Sequence, residues 1–295
     1  MKKYSYFPGC SLKGLGRAYE ESFLAVCKAL NIELKELEDW NCCGATAYMA
    51  IDEHHAVALA TRDLALAETN STEDLLAPCA GCYLVLNKAN KYLAKYPRIG
   101  GTVRQALAEE GLKYEGRIKV RHPLEVLLND VGLEAIQQKI KSSLRGLKVA
   151  PYYGCQIVRP YAVFDDQYNP TSMDKLIEAT GAKVVEFALK TKCCGGSLTG
   201  TLAKVGQEMC FNLLHEMKRR GAQVVATACP LCQFNLEVYQ REIAARHKED
   251  VRLPILYFTQ LIGLALGLPK KALGLQRQIV AADRIPAECR AENPI

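Results

Sequence analysis

Apolar positions along this chain follow two alternating rhythms. Over 3–7 they are aromatic and alternate with polar residues, which predicts a strand running into Cys10. Over 17–30, Phe23, Val26, Cys27 and Leu30 fall on one helical face. A short strand over 32–37 follows, then an Ala/Leu-rich helix over 53–68, a buried strand over 75–77 and a helix over 83–96. The order recurs: a strand over 147–153, a helix over 171–180 stopped by Gly181, a strand over 183–187, a helix over 202–220, a strand over 224–226 and a helix over 232–247. Residues 104–144 look helical and join the two halves, and the tail after Pro269 is weakly patterned, as an extended arm would be.

Strands alternating with helices predict an α/β fold with mostly parallel sheets. The expected division is 1–145, a first repeat with its helical connector, and 146–295, a second repeat with the tail. In such sheets, sites collect at the C-terminal ends of the strands.

Composition narrows the function. Apolar residues make up 49% of the 295, enough for a sizeable core. The longest apolar run, 253–268, is broken by Pro254, Thr259 and Gln260 and is too short to span a bilayer. MKKYSYFPGC has no apolar segment behind its lysines, so the expectation is a soluble, cytoplasmic protein without a secretory signal. The net charge of +6 is mild, and Lys and Arg are scattered without aromatic interleaving, which argues against nucleic acid as a partner.

Cysteine usage changes the picture. There are 13, and in a reducing compartment clustered cysteines indicate metal or redox chemistry rather than disulfide staples. Ten form two copies of one pattern: Cys10, Cys42-Cys43 and Cys79-x-x-Cys82, then Cys155, Cys193-Cys194 and Cys229-x-x-Cys232. The gaps are 31, 35 and 2 residues in the first copy and 37, 34 and 2 in the second. Flanking residues recur too, as Tyr6-Phe7-Pro8-Gly9-Cys10 against Tyr152-Tyr153-Gly154-Cys155. This is an internal repeat of half the chain.

Four thiolates can hold a zinc ion or a cubane iron–sulfur cluster. Neither calls for five ligands with two adjacent in sequence. A vicinal pair reaches two irons of a larger cluster more readily than one tetrahedral ion. Gly44 and Gly195 after the pairs allow positive φ and a close backbone approach to such a cluster. Each Cys-x-x-Cys at a helix start sets two thiolates near backbone N–H groups that tune potential.

Duplicated Cys-Cys-Gly motifs, each with a downstream Cys-x-x-Cys, resemble the CCG-domain family, that of the catalytic B subunit of heterodisulfide reductase. The segments 151–160 (PYYGCQIVRP) and 121–127 (RHPLEVL) resemble that family as well, and the likeness extends over about 4–267. The resemblance implies two pseudo-symmetric CCG repeats and two noncubane [4Fe-4S] clusters. One would be held by Cys10, Cys42, Cys43, Cys79 and Cys82, the other by Cys155, Cys193, Cys194, Cys229 and Cys232. It implies a disulfide substrate bound between the clusters, each of which exchanges one electron with it. It also implies two partner chains, a ferredoxin-like subunit that takes electrons from a flavin subunit. The substrate would be a mixed disulfide, a lipoyl group or another sulfur carrier. Rival readings are the iron–sulfur subunit of a lactate or glycolate oxidase, and a scaffold with zinc in one or both sites.

Other residues are weighed on the same terms. Cys27 and Cys210 are expected as buried small hydrophobes and Cys289 as a free thiol of the tail. His122 follows a predicted strand, and a histidine near pH 7 supplies protons to thiolate products. Arg159 and Lys192 lie within four residues of a clustered cysteine and suit an anionic substrate group. His54, His55, His215 and His247 fall on predicted helices and read as ordinary surface or core residues. Gly14-x-Gly16 lacks the third glycine of a dinucleotide fingerprint, and Gly200 is followed by Thr201 rather than a P-loop lysine, so no nucleotide site is expected.

Overall fold

A computed structural model describes residues 1–45, 47–70 and 73–281. Cys289 lies outside the described residues. The elements are β1 (Lys2–Tyr6), α1 (Gly9–Lys13), α2 (Arg17–Ala29), β2 (Ile32–Glu36), α3 (Ala47–Ile51), α4 (Glu53–Asn70), β3 (Leu75–Leu76), α5 (Ala80–Lys95), α6 (Pro97–Glu109) and β4 (Val120–Arg121). A short helix α7 (Pro123–Glu125) runs into a π turn, Val126–Val131, and then α8 (Leu133–Gln137). The remainder is β5 (Lys148–Tyr152), α9 (Ser172–Ala179), β6 (Lys183–Val184), α10 (Ala203–Arg219), β7 (Val224–Thr227), α11 (Pro230–Val238), α12 (Gln240–His247), β8 (Ile255–Tyr257), α13 (Phe258–Ala265) and a 3-10 turn, Leu275–Arg277.

Two four-stranded, all-parallel sheets form, with the same strand order: β2-β1-β3-β4 and β6-β5-β7-β8. The sequence repeat is therefore a repeat of topology. Parallel strands need helical crossovers, and those helices supply the cover that buries the sheets. Central strands read as near-continuous apolar runs for that reason: Val224, Val225 and Ala226 of β7 are all fully buried.

Each half holds a fourth strand beyond the three that periodicity predicts. Ile255-Leu256-Tyr257 is uniformly apolar, and a run that short carries no period to distinguish strand from helix. The apolar stretch 253–268 thus resolves into β8 and α13, joined at Tyr257. There the Gln260 side chain accepts from the Tyr257 backbone N–H at 2.9 Å in a capping box. Likewise the connector 104–144, expected to be helical, contains β4. The single helix expected over 232–247 is two, parted at Tyr239. Buried Gln240 starts the second helix and bonds the carbonyls of Leu236 and Leu253, both at 2.8 Å, in place of regular helix continuation. Within the expected extended arm Leu273 and Leu275 are buried, while Ile279 is exposed.

By packing, the chain divides into one unit of Met1–Gly14 with Asn31–Pro123, and another of Leu15–Leu30 with Leu124–Ile295. Helix α2, from the first half of the sequence, thus belongs to the second unit. Its buried face explains this. Tyr19 stacks on Tyr257 with ring centroids 4.4 Å apart, and Ser22 Oγ lies 2.7 Å from Thr259 Oγ1, so the helix is seated by aromatic packing and a buried hydroxyl pair.

Candidate metal centres in the two units

In each unit five cysteines gather just beyond the C-terminal ends of the strands. In the first unit, Cys10 sits in α1 immediately after β1, and Cys42-Cys43 lie in the loop after β2. Cys79 precedes α5 with extended backbone, and Cys82 lies in that helix's first turn. The Sγ atoms of Cys43 and Cys82 stand 3.2 Å apart, and those of Cys10 and Cys42 3.7 Å apart. In the second unit, Cys155 follows β5, Cys193-Cys194 follow β6, and Cys229 and Cys232 open α11. There Cys194 Sγ lies 3.5 Å from Cys232 Sγ, the pairing of Cys43 with Cys82 repeated. The sulfurs gather as pairs. Among the described residues, no group of three or more His, Cys, Asp or Glu side chains is arranged to hold a single metal ion.

The thiols share protons unevenly, and the pattern repeats. Cys42 is pulled down to about 5, chiefly by the hydrogen bond from Cys43, helped by the Gly44 N–H. Cys43 is correspondingly raised. Cys193 is held far below the ordinary thiol range by bonds from Cys155 and Cys194, and its sulfur accepts the Gly195 N–H at 3.3 Å. Cys194 is pushed up to about 12 by Cys193, and Cys155 is raised by the same partner. Cys10 is raised, first by burial and then by the charge on Cys42. Cys79 falls to about 7 through the bond from Cys82, with the N–H groups of Gly81 and Cys82 at the helix start assisting. Cys82 is raised by Cys43 and Cys79, and Cys232 by Cys194 and Cys229. In both units the first cysteine of the vicinal pair is the preferred thiolate.

Backbone around the sulfurs is fixed by contacts that span many residues. A Cβ on Gly9 would meet Cys82 Sγ at 2.8 Å, and one on Gly154 would meet Cys232 Sγ at 3.0 Å; both glycines have φ near +70° (66° and 71°). The glycines after the pairs also have positive φ, 75° at Gly44 and 76° at Gly195. The close approach these two make is to helix backbone: a Cβ would stand 3.2 Å from Ala56 Cα of α4 or 2.9 Å from Gly206 Cα of α10.

Three consecutive carbonyls leading into Cys193 are bonded. Lys190 O accepts the N–H groups of Tyr153 and Gly154 at 2.9 and 3.1 Å. Thr191 O accepts from Arg159 Nη2, and Lys192 O accepts from Tyr152 Oη at 2.7 Å. The loop before Cys193 is thereby tied to the loop before Cys155. Behind it, buried Lys190 pairs with Asp174 at 3.2 Å, and Asp174 also accepts from Tyr153 Oη. On the far side Asn235 Nδ2 donates to Cys194 O at 2.6 Å and contacts Cys210 Sγ at 3.1 Å. In the first unit, Asn41 N donates to buried Asp63 at 2.9 Å, and Asn41 Nδ2 donates to Cys42 O at 2.9 Å. Sequence spacing held no sign of Tyr152, Asn41, Asp63 or Asn235 in these roles. Their signal is tertiary.

The remaining expected residues are placed as follows. His122 is fully buried and its Nε2 lies 2.9 Å from Pro78 O, so Nε2–H donates there. Burial lowers it to about 3, leaving it neutral at physiological pH. That placement braces the residue before Cys79 and does not suit proton delivery to substrate. Arg159 is partly exposed and spends a donor on Thr191 O. The Lys192 side chain is exposed beside Cys193. Cys27 and Cys210 are buried and raised by desolvation, but Cys210 also donates to Cys194 O at 3.2 Å and so supports the site.

Comparison with known proteins places these features. A family model described as a cysteine-rich domain, CCG, matches residues 4–87 and 149–237. The chain is 34% identical to the 8-methylmenaquinol:fumarate reductase membrane anchor subunit of Wolinella succinogenes, over 96% of this chain and 99% of that one. It is 32% identical to the B subunit of the ferredoxin:CoB-CoM heterodisulfide reductase of Methanosarcina mazei, over 95% and 94%. It is 33% identical to a protein of Archaeoglobus profundus named as like the heterodisulfide reductase B subunit, over 93% and 94%. Among solved structures, a hypothetical protein from Helicobacter pylori superposes with a TM-score of 0.75 at 18% identity, a likeness of fold alone. That match covers 96% of this chain and about half (53%) of the solved one. Among the described residues no helix is long and apolar enough to cross a membrane.

Proposed function

The chain belongs to the CCG cysteine-rich domain family, and from that membership we propose that it is the disulfide-reducing, or thiol-oxidising, iron–sulfur subunit of a heterodisulfide-reductase-like complex. The observation that carries this reading is the duplicated five-cysteine set, gathered at strand ends in both units with the same sulfur pair in contact (3.2 Å and 3.5 Å).

The donor set fits iron–sulfur chemistry. The donors gathered in each unit are thiols, the soft ligands that suit iron–sulfur clusters, and in each set the first cysteine of the vicinal pair (Cys42, Cys193) is lowered below the ordinary thiol value by its bonded neighbours. Cys10, Cys42, Cys43, Cys79 and Cys82 would hold one noncubane [4Fe-4S] cluster, and Cys155, Cys193, Cys194, Cys229 and Cys232 the other. When bound, the clusters supply one-electron redox chemistry and an iron accessible to thiolate. The protein supplies geometry: Tyr152, Arg159 and Asn235 hold the loop carbonyls around the second set, Asn41 and His122 those around the first, and Asp63 accepts the Asn41 N–H. Disulfide cleavage consumes two electrons and two protons and releases two thiols. Lys192, exposed beside Cys193, is positioned for an anionic group on the substrate. Electrons come from partner chains, a ferredoxin-like subunit that is itself supplied by a flavin subunit. A low-molecular-weight disulfide, a lipoyl group or another sulfur carrier is the substrate class.

Iron, acid-labile sulfide and zinc content of anaerobically purified protein tests the reading. About eight irons with matching sulfide, together with reductant-driven disulfide cleavage, supports it. Zinc without iron overturns it. A second reading, an electron-transfer subunit of a fumarate-reducing complex, is favoured by the 34% identity to the Wolinella protein. Co-purification with a fumarate-reducing partner, with no disulfide turnover, would select it.

A further inference from the structure

The loop leading into each cysteine pair is braced by an arginine, and the two arginines differ in what balances their charge. In the first unit Arg62, on α4, donates Nη1 to Asp39 O at 2.8 Å and to Asn41 Oδ1 at 3.1 Å. Two carboxylates meet its guanidinium, Asp39 at 2.6 Å and Glu110 at 3.1 Å. Asp63, buried behind the same loop against Asn41 N, is raised to about 8 by desolvation and so keeps its proton and adds no charge there. In the second unit Arg159 donates to Thr191 O, two residues before Cys193. Among the described residues no carboxylate pairs with it. The neighbouring Lys190 is paired with Asp174 and adds no net charge, whereas exposed Lys192 adds one more cation on the same loop.

A positive charge beside a redox centre favours the form that has gained an electron, and more so where water is partly excluded. Among the described residues Asp39 and Glu110 outnumber Arg62 at the first loop, whereas at the second no carboxylate pairs with Arg159 or Lys192. We propose that the two repeats are electrostatically inequivalent, with the second as the higher-potential centre, so that a one-electron reductant fills it before the first. This rests on the two-cluster reading above. The two electrons a disulfide takes up, with two protons, to form two thiols then leave centres of unequal driving force.

Stepwise dithionite reduction of the full chain, followed by EPR at controlled potentials, tests it. Wild type is expected to show two separated reduction waves. Arg159→Gln keeps an amide N–H for Thr191 O but removes the charge. It is expected to lower the reduced-to-oxidised ratio of the higher wave about tenfold, equivalent to ~59 mV for one electron, and to leave the lower wave in place. Arg159→Lys is expected to restore the higher wave. If Arg159→Gln loses iron, Lys192→Gln is expected to move the same wave in the same direction. Coincident waves in the wild type, a shift confined to the lower wave, or no restoration by lysine overturns the proposal. Iron measured on the same samples separates the failures: low iron in the wild type removes the two-cluster reading itself, whereas full iron with coincident waves removes only the inequivalence.

Discussion

Gly9 lies so close to Cys82 that a Cβ on it would stand 2.8 Å from the sulfur. The glycine before the single cysteine and the second cysteine of the Cys-x-x-Cys are thus one structural unit, and Gly154 with Cys232 repeats it at 3.0 Å. The requirement is double, because both glycines also have positive φ, where a side chain costs about 1–3 kcal/mol.

Gly154→Ala is therefore expected to displace Cys232 and to halve the iron content while leaving the first set loaded. Gly9→Ala is expected to do the converse. Iron analysis with thermal melting of each variant checks this. Full iron in both would show that the close approach is relieved without loss of the site.

Replacing a proposed ligand and replacing a buried bystander should separate cleanly. Cys43→Ser removes one member of the Cys43–Cys82 sulfur pair and is expected to abolish disulfide turnover and alter the first cluster's spectrum. Cys27, 2% exposed on α2 and held as a thiol by burial, belongs to neither five-cysteine set. Cys27→Ala is expected to keep all iron and to cost about 1 kcal/mol of stability. Loss of iron in Cys27→Ala would show that the ligand set is wrong.

Asn235 holds Cys194 O at 2.6 Å from a fully buried position. Asn235→Leu leaves that carbonyl only the weak Cys210 thiol donor and is expected to destabilise the second unit by about 1–3 kcal/mol, with iron lost from the second set first. The analogous brace in the first unit is His122 on Pro78 O, and His122→Phe is expected to lower iron in the first set. Because His122 is neutral at physiological pH, no ionisation belonging to it is expected in the pH–rate profile of the wild type between pH 5 and 9, a range far above its value of about 3.

Glu237, on α11, accepts the N–H groups of Ile279 and Val280 at 3.1 and 3.2 Å. Burial raises it from 4.5 to about 7. A carboxyl whose folded value exceeds its unfolded one keeps its proton longer in the folded protein. The resulting stability is full below about 4.5 and is lost as pH rises through about 7. Denaturant titrations from pH 4 to 8 are expected to show a decline of up to about 3 kcal/mol from this group, absent in Glu237→Gln. Equal slopes in the two proteins would remove Glu237 as the cause.

Several contacts that decide the site join residues far apart in the chain. The period-two aromatics of β1 and the helical spacing of Phe23, Val26 and Cys27 in α2 are local patterns, and the structure places both elements there. The residues before Cys155 resemble those before Cys10, and both lie where the first strand of their sheet ends, at Tyr152 and Tyr6. By contrast, the apolar triplet of β8 has no period of its own. The assignment of α2 to the second unit depends on Tyr19 meeting Tyr257 and Ser22 meeting Thr259, more than two hundred residues apart (|i−j| = 237 for the hydroxyl pair). His122 carries no mark in the sequence to distinguish an exposed acid from a buried brace, because its protonation follows from desolvation.

From the sequence alone came the α/β class, the duplicated cysteine pattern and the family, since each is a matter of residue type and spacing along one strand, helix or motif. Tertiary structure alone decided which sulfurs touch, which carbonyls are held by Tyr152, Arg159 and Asn235, and which arginine two carboxylates meet. Those are set by chain path and burial: a hydrogen bond or an ion pair depends on where distant segments arrive, and the cost of a charge depends on what surrounds it there.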